Sequence, residues 1–213
     1  MPPLAPSTRL IESLLDAVAR FDSSAIDREI GRLAALYAPR EFVYSLVLPL
    51  MSAVGRRWNE GSLSIAQEHV VSAVLVGAMS SLVRLQTAPA GARRLLFACP
   101  AGERHEFGLL AAAILAGSRG FEAVYLGADV PSADIAAAAS LADVEVAVIA
   151  VTGGQRTVRA RVPEIRRLLA STIDLWVGGH GPAAADHPNG KSRRVVRLTT
   201  LEDFERQLAT MAR

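Results

Sequence analysis

From residue 95 onward the chain alternates between two periods, and this alternation restricts its possible folds more than any other feature. Residues 95–99, 123–126, 144–151, 175–177 and 194–198 are short apolar runs that read as strands. Residues 106–118, 132–141, 158–170 and 201–211 have helical length and spacing, with Ser132 placed to cap its helix. Such alternation predicts a parallel sheet with helices on both faces. Five strands in about 120 residues, with no G-x-G-x-x-G after the first strand, predict the flavodoxin-like α/β arrangement rather than a dinucleotide-binding one.

Residues 7–87 keep a helical period throughout. Leu10, Leu14, Leu15, Val18 and Phe21 open the series, and a second helix over 24–37 carries Ile26, Ile30, Leu33 and Leu36. Pro39 separates it from a third helix over 41–58, where Pro49 predicts a kink or break. Ser64 and Gln67 form a capping box that opens a fourth helix, running to about residue 86. Four helices with short joints predict a bundle. Pro89 and Gly91 mark a linker over 87–92, giving a helical bundle cap at 1–88 and a flavodoxin-like domain at 89–213.

The totals exclude several classes. A net charge of +2 is too small to argue for nucleic acid, and Arg156, Arg159, Arg161, Arg166 and Arg167 read as a solvated helix face. Cys99 is the single cysteine, so no intrachain disulfide is expected, and a core position suits it. No signal peptide and no membrane-spanning run are expected, which points to the cytoplasm.

In open parallel sheets, ligands gather beyond the carboxyl ends of the strands. Three segments belong there: 100–108, 152–155 and 178–181. The first holds His105, with Glu103 two residues earlier and Gly108 three later. A carboxylate at that spacing can fix the tautomer of a metal-binding imidazole; it can equally pair with a plain loop histidine. Gly153-Gly154 and Gly178-Gly179 serve either tight turns or a groove for a long ligand. His180 and His187 have no partner in sequence and read as surface positions.

Glu103-Arg104-His105-Glu106-Phe107-Gly108 resembles the mark of the cobalamin-binding domain family: acidic residue, any residue, histidine, two residues, glycine. The resemblance implies that His105 is the lower axial ligand of cobalt. It also implies that Glu103, Gly108, Thr152, Gly153, Gly154, Gly178 and Gly179 line the cofactor site. Trp58, followed after nine residues by Glu68-His69, resembles the signature of the CarH-like adenosylcobalamin photoreceptors. That implies an upper cobalt face formed by Trp58, Asn59, Glu68, His69 and Ser72, with Ala73, Gly77 and Ser80 leaving room for the cofactor. In that group a histidine follows the tryptophan and captures cobalt once the adenosyl group has left. Asn59 departs from it, which predicts a lit state without a second histidine.

The resemblance implies a light sensor rather than an enzyme: adenosylcobalamin is held in the dark, and photolysis of the cobalt–carbon bond rearranges the cap or an oligomer and signals to a partner. A homo-oligomer and an output protein are the expected partners. Direct DNA binding is not expected, because the chain begins with the cap and has no helix-turn-helix module ahead of it. Three alternatives share the same residues. One is a corrinoid methyl carrier of a methyltransferase system, and another is a binding module that reports cobalamin level. The third is a sensor holding a bilin such as biliverdin beside cobalamin, without a covalent attachment through cysteine.

Overall fold

The computed structural model describes residues 8–152, 156–179 and 195–211. The chain divides into two compact units between Leu85 and Gln86.

The first unit is helical: α1 (Thr8–Ala19), α2 (Ser23–Leu36), α3 (Pro39–Phe42), α4 (Leu48–Asn59) and α5 (Ile65–Leu85). Asp22 caps α2 by accepting the Ala25 N–H at 3.0 Å. A π-helical turn, Val43–Val47, joins α3 to α4, so Pro49 acts upstream of itself rather than by breaking the helix. Proline has no N–H for an i−4 bond and its ring crowds the carbonyl there. The ladder widens before it, and the Leu48 N–H reaches back five residues to the Val43 carbonyl. The Ser64–Gln67 box forms as expected: Gln67 Oε1 accepts the Ser64 N–H at 2.7 Å, and Ser64 Oγ accepts the Gln67 N–H at 3.3 Å. Leu14, Val18, Ile26, Ile30, Leu46, Leu50, Val54, Val71, Leu75 and Met79 form the core of this unit.

α5, at 21 residues, is long and apolar enough to cross a membrane by length and composition. Within this unit it packs on α1, α2 and α4, burying Val71, Leu75 and Met79.

The second unit holds β1 (Arg94–Pro100), α6 (Phe107–Gly117), β2 (Glu122–Val130), α7 (Ser132–Leu141), β3 (Val146–Ala150), α8 (Arg156–Leu168), β4 (Asp174–Gly178), β5 (Val195–Leu198) and α9 (Leu201–Met211). All pairings are parallel, in the order β2-β1-β3-β4-β5. This is the flavodoxin-like order, with its switch point between β1 and β3. One face packs Leu96, Ala98, Ala147, Ile149, Leu175 and Val177 against Ile135, Ala139, Val162 and Ile165 of α7 and α8. On the other face, Phe204 of α9 meets Phe97 and Trp176 edge-on, with centroids 6.3 and 5.9 Å apart. α6 has eight consecutive buried residues, Leu109 to Ala116, as a helix apolar all round must. Ser132 does not cap α7. It is the first helical residue after Pro131, and its hydroxyl donates to Glu164 of α8 at 3.2 Å.

Candidate functional site

The turn after β1 carries a buried carboxylate under an exposed imidazole. The Glu103 side chain is 2% exposed and that of His105 is 78% exposed. A carboxylate so buried must have its lone pairs occupied, and here they are. Glu103 Oε1 accepts the His105 backbone N–H at 3.0 Å and lies 2.6 Å from His105 Nδ1. Oε2 accepts the Thr152 N–H at 2.7 Å and its hydroxyl at 3.0 Å. A carboxylate is an acceptor only, so Nδ1 donates to it, which leaves Nε2 as the ring nitrogen open to a metal on a largely exposed side chain. That donor, with its orientation set by a neighbouring carboxylate, suits a borderline metal such as cobalt, and the residues therefore fit a corrin-bound ion approaching from outside.

Thr152, expected on a groove wall, acts from just beyond β3 as the second anchor of Glu103. The two residues are 49 apart in sequence, and only the adjacency of β1 and β3 brings them together. Cys99, at the end of β1, contacts the same turn, its Sγ 3.7 Å from the His105 carbonyl oxygen. Burial, with Glu103 and Glu106 nearby, pushes its thiol up to about 12. It is a packed residue, not a nucleophile.

The glycines separate into different cases. Gly179 has φ +133°, and a Cβ there would lie 2.0 Å from the Val151 carbonyl oxygen, so backbone crowding alone requires glycine. Gly178 accepts the Val151 N–H at 2.9 Å, which ties the ends of β3 and β4 together. Gly108 faces open space, as room for a large ligand would require. Gly153, Gly154, His180 and His187 lie outside the described residues.

In the helical unit, Glu68 and His69 stand in the first turns of α5. His69 Nδ1 is 2.6 Å from Glu68 Oε2, and the Ser72 hydroxyl donates to Glu68 Oε1. Glu68 is 29% exposed and His69 74%. A carboxylate near a helix N-terminus is favoured by the local field. Trp58, near the end of α4, is 48% exposed, so it is not a core residue of this unit. Asn59 beside it is exposed. Ala73 and Gly77, expected to make room next to Ser72, face elsewhere. Each follows Glu68 or Ser72 by five residues, which turns it to the far side of the helix. There they line a groove between α2 and α5 of about 650 Å³, with Gly31, Ala34 and Ala78.

The chain matches the B12 binding domain family over residues 10–82. The HTH-type transcriptional repressor CarH of Myxococcus xanthus is 32% identical over 212 residues, covering 93% of this chain and 67% of the repressor. CarA of the same organism is 31% identical over 157 residues, covering 73% of this chain and 50% of CarA. Among solved structures, the monomethylamine corrinoid protein of Methanosarcina barkeri aligns with a TM-score of 0.67 at 15% identity, covering 95% of this chain and 98% of that one. At that identity the likeness is one of fold.

Proposed function

The chain belongs to the B12-binding family of the CarH and CarA repressors, and from that premise we propose that it is an adenosylcobalamin-dependent light sensor. His105 is the lower axial ligand, oriented by Glu103, which Thr152 anchors in turn. Trp58, Asn59, Glu68, His69 and Ser72 serve the adenosyl side. The cofactor contributes a light-labile cobalt–carbon bond, and the protein contributes orientation, shielding and a response passed to a second copy or an output partner. The observation that carries the reading is the exposed imidazole at the β1 end whose Nδ1 is committed to a buried carboxylate, which leaves Nε2 for the metal. The Glu68–His69–Ser72 cluster on α5, in the same unit as the exposed Trp58, supports adenosyl over methyl, because a methyl carrier must leave that face open to partner enzymes.

An absorption spectrum of protein loaded with adenosylcobalamin, taken in the dark and then after illumination, tests the proposal. A histidine-ligated adenosylcobalamin spectrum that light converts irreversibly is the expected result. Equal uptake of methylcobalamin with no preference would favour the methyl-carrier reading. The α2–α5 groove favours a second reading, in which the helical unit also holds a bilin without a covalent link. A red-absorbing band after loading with biliverdin would support it.

A further inference from the structure

Strand β2 is regular only over its first half. Arg94 to Phe97 of β1 pair in step with Glu122 to Tyr125, and then the register slips twice, setting Ala98 opposite Gly127 and Pro100 opposite Val130. Bulges of this kind re-aim side chains, and an edge strand accommodates them without disturbing a neighbour on its outer side. The slipped stretch holds two left-handed residues, Gly127 at φ 90° and Asp129 at φ 60°. Glycine tolerates that region; an aspartate there is uncommon and is kept where its surroundings require it.

Those surroundings are the histidine turn. Asp129 Oδ1 accepts the Gly102 N–H at 2.7 Å, and the Asp129 N–H donates to the Glu103 carbonyl at 3.0 Å. The Arg104 guanidinium lies 4.0 Å from the other Asp129 oxygen. From the same strand, the Tyr125 hydroxyl donates to Glu106 at 2.7 Å, and burial together with this bond raises its pKa. Glu106 is the N-cap residue of α6, yet its side chain makes no cap bond and turns to Tyr125 instead. The turn is thus held at Gly102, Glu103 and Glu106, on both sides of His105.

We propose that the bulged end of β2 is a bracket that sets the His105 turn for cobalt, with Asp129 and Tyr125 as positioning residues. The proposal rests on the cobalamin reading above. Glu103 orients the imidazole, but Glu103 belongs to the same turn. The ring is only as well placed as that turn, which β2 holds from one side while Thr152, beyond β3, holds Glu103 from the other.

The test uses the full chain as wild type, Asp129→Gly, Asp129→Asn and Tyr125→Phe. Each is titrated with adenosylcobalamin in the dark, and each ligand-free protein is unfolded in urea. Asp129→Gly keeps the left-handed backbone and removes the acceptor; binding should weaken by about 10- to 100-fold, with less of the histidine-ligated spectrum. Asp129→Asn retains an oxygen acceptor and tolerates the backbone, so it should restore affinity. Tyr125→Phe should lose up to about tenfold. In the ligand-free proteins, the Gly102 and His105 amides should exchange faster in Asp129→Gly and Tyr125→Phe. Wild-type affinities and spectra in both variants would overturn the bracket, as would losses that merely track the urea midpoints. Should Asp129→Gly fail to fold, Tyr125→Phe decides. A wild-type chain that takes up no cobalamin would instead sink the parent reading.

Discussion

Each unit of the molecule carries a histidine whose Nδ1 lies 2.6 Å from a carboxylate, yet the two pairs are built differently. Glu103 is nearly inaccessible and takes two contacts on each oxygen, drawing on backbone from the β1 turn and from the end of β3. Glu68 is 29% exposed and is held by its sequence neighbour and by a hydroxyl one helical turn away. Both imidazoles are exposed, so burial of the ring is not what separates them. The difference is what holds the acid: the ends of two strands in one case, a single helix surface in the other. A ligand that must keep its bond to cobalt needs the first arrangement. A face that must accept a bulky group and later release it is better served by the second, whose members can turn without breaking a core.

That contrast can be broken experimentally, beginning where the effect is greatest. His105→Ala should abolish the histidine-ligated spectrum and reduce cobalamin affinity by more than the roughly 10- to 100-fold typical of an outer-shell partner; absorption titration measures it. A wild-type spectrum in that variant would remove the site assignment. Glu103→Ala comes next. It strips the acceptor from the His105 and Thr152 N–H groups, and urea unfolding of the ligand-free protein should show a loss of about 2 kcal/mol, as for a buried polar group left unmade. Glu68→Ala, by contrast, should stay within about 0.5 kcal/mol of wild type. Equal losses in the two variants would erase the distinction between pinned and adjustable acids.

Two finer tests sharpen the helical side. Trp58→Ala should reduce the preference for adenosyl- over methylcobalamin while shifting stability by no more than about 0.5 kcal/mol, because Trp58 is half exposed. Paired dissociation constants and a urea midpoint check both parts. The smallest dark-state effect is expected for Asn59→His, which should leave dark affinity nearly unchanged yet give an illuminated spectrum of a bis-histidine cobalamin. A wild-type protein that already gives that spectrum would shift attention to His69.

The features legible in the sequence are those closed over a few residues. The Ser64–Gln67 box, the spacing of Glu103 and His105 and the strand–helix alternation all have their cause within one or two turns of chain. The partners of Glu103 from beyond β3 and the Asp129 contacts to Gly102 and Glu103 join residues 26 to 49 apart, and no local pattern announces them. Gly179 marks the boundary between the two kinds. Its pair with Gly178 suggested a turn or a groove, but the need for glycine comes from the Val151 carbonyl, 2.0 Å from where a Cβ would stand.

By itself, then, the sequence determined the period of each segment, and through it the parallel sheet, the helical unit and the placement of His105 at a strand end, because periodicity and capping are local free energies. Tertiary structure alone decided that the carboxylate beneath that histidine is buried and fully bonded, that Thr152 shares it, that a bulged edge strand supports the turn from outside, and that Ala73 and Gly77 line a groove against α2. Those outcomes depend on which strand lies beside which and on which helix faces which, and both are settled only when the apolar faces close on one another.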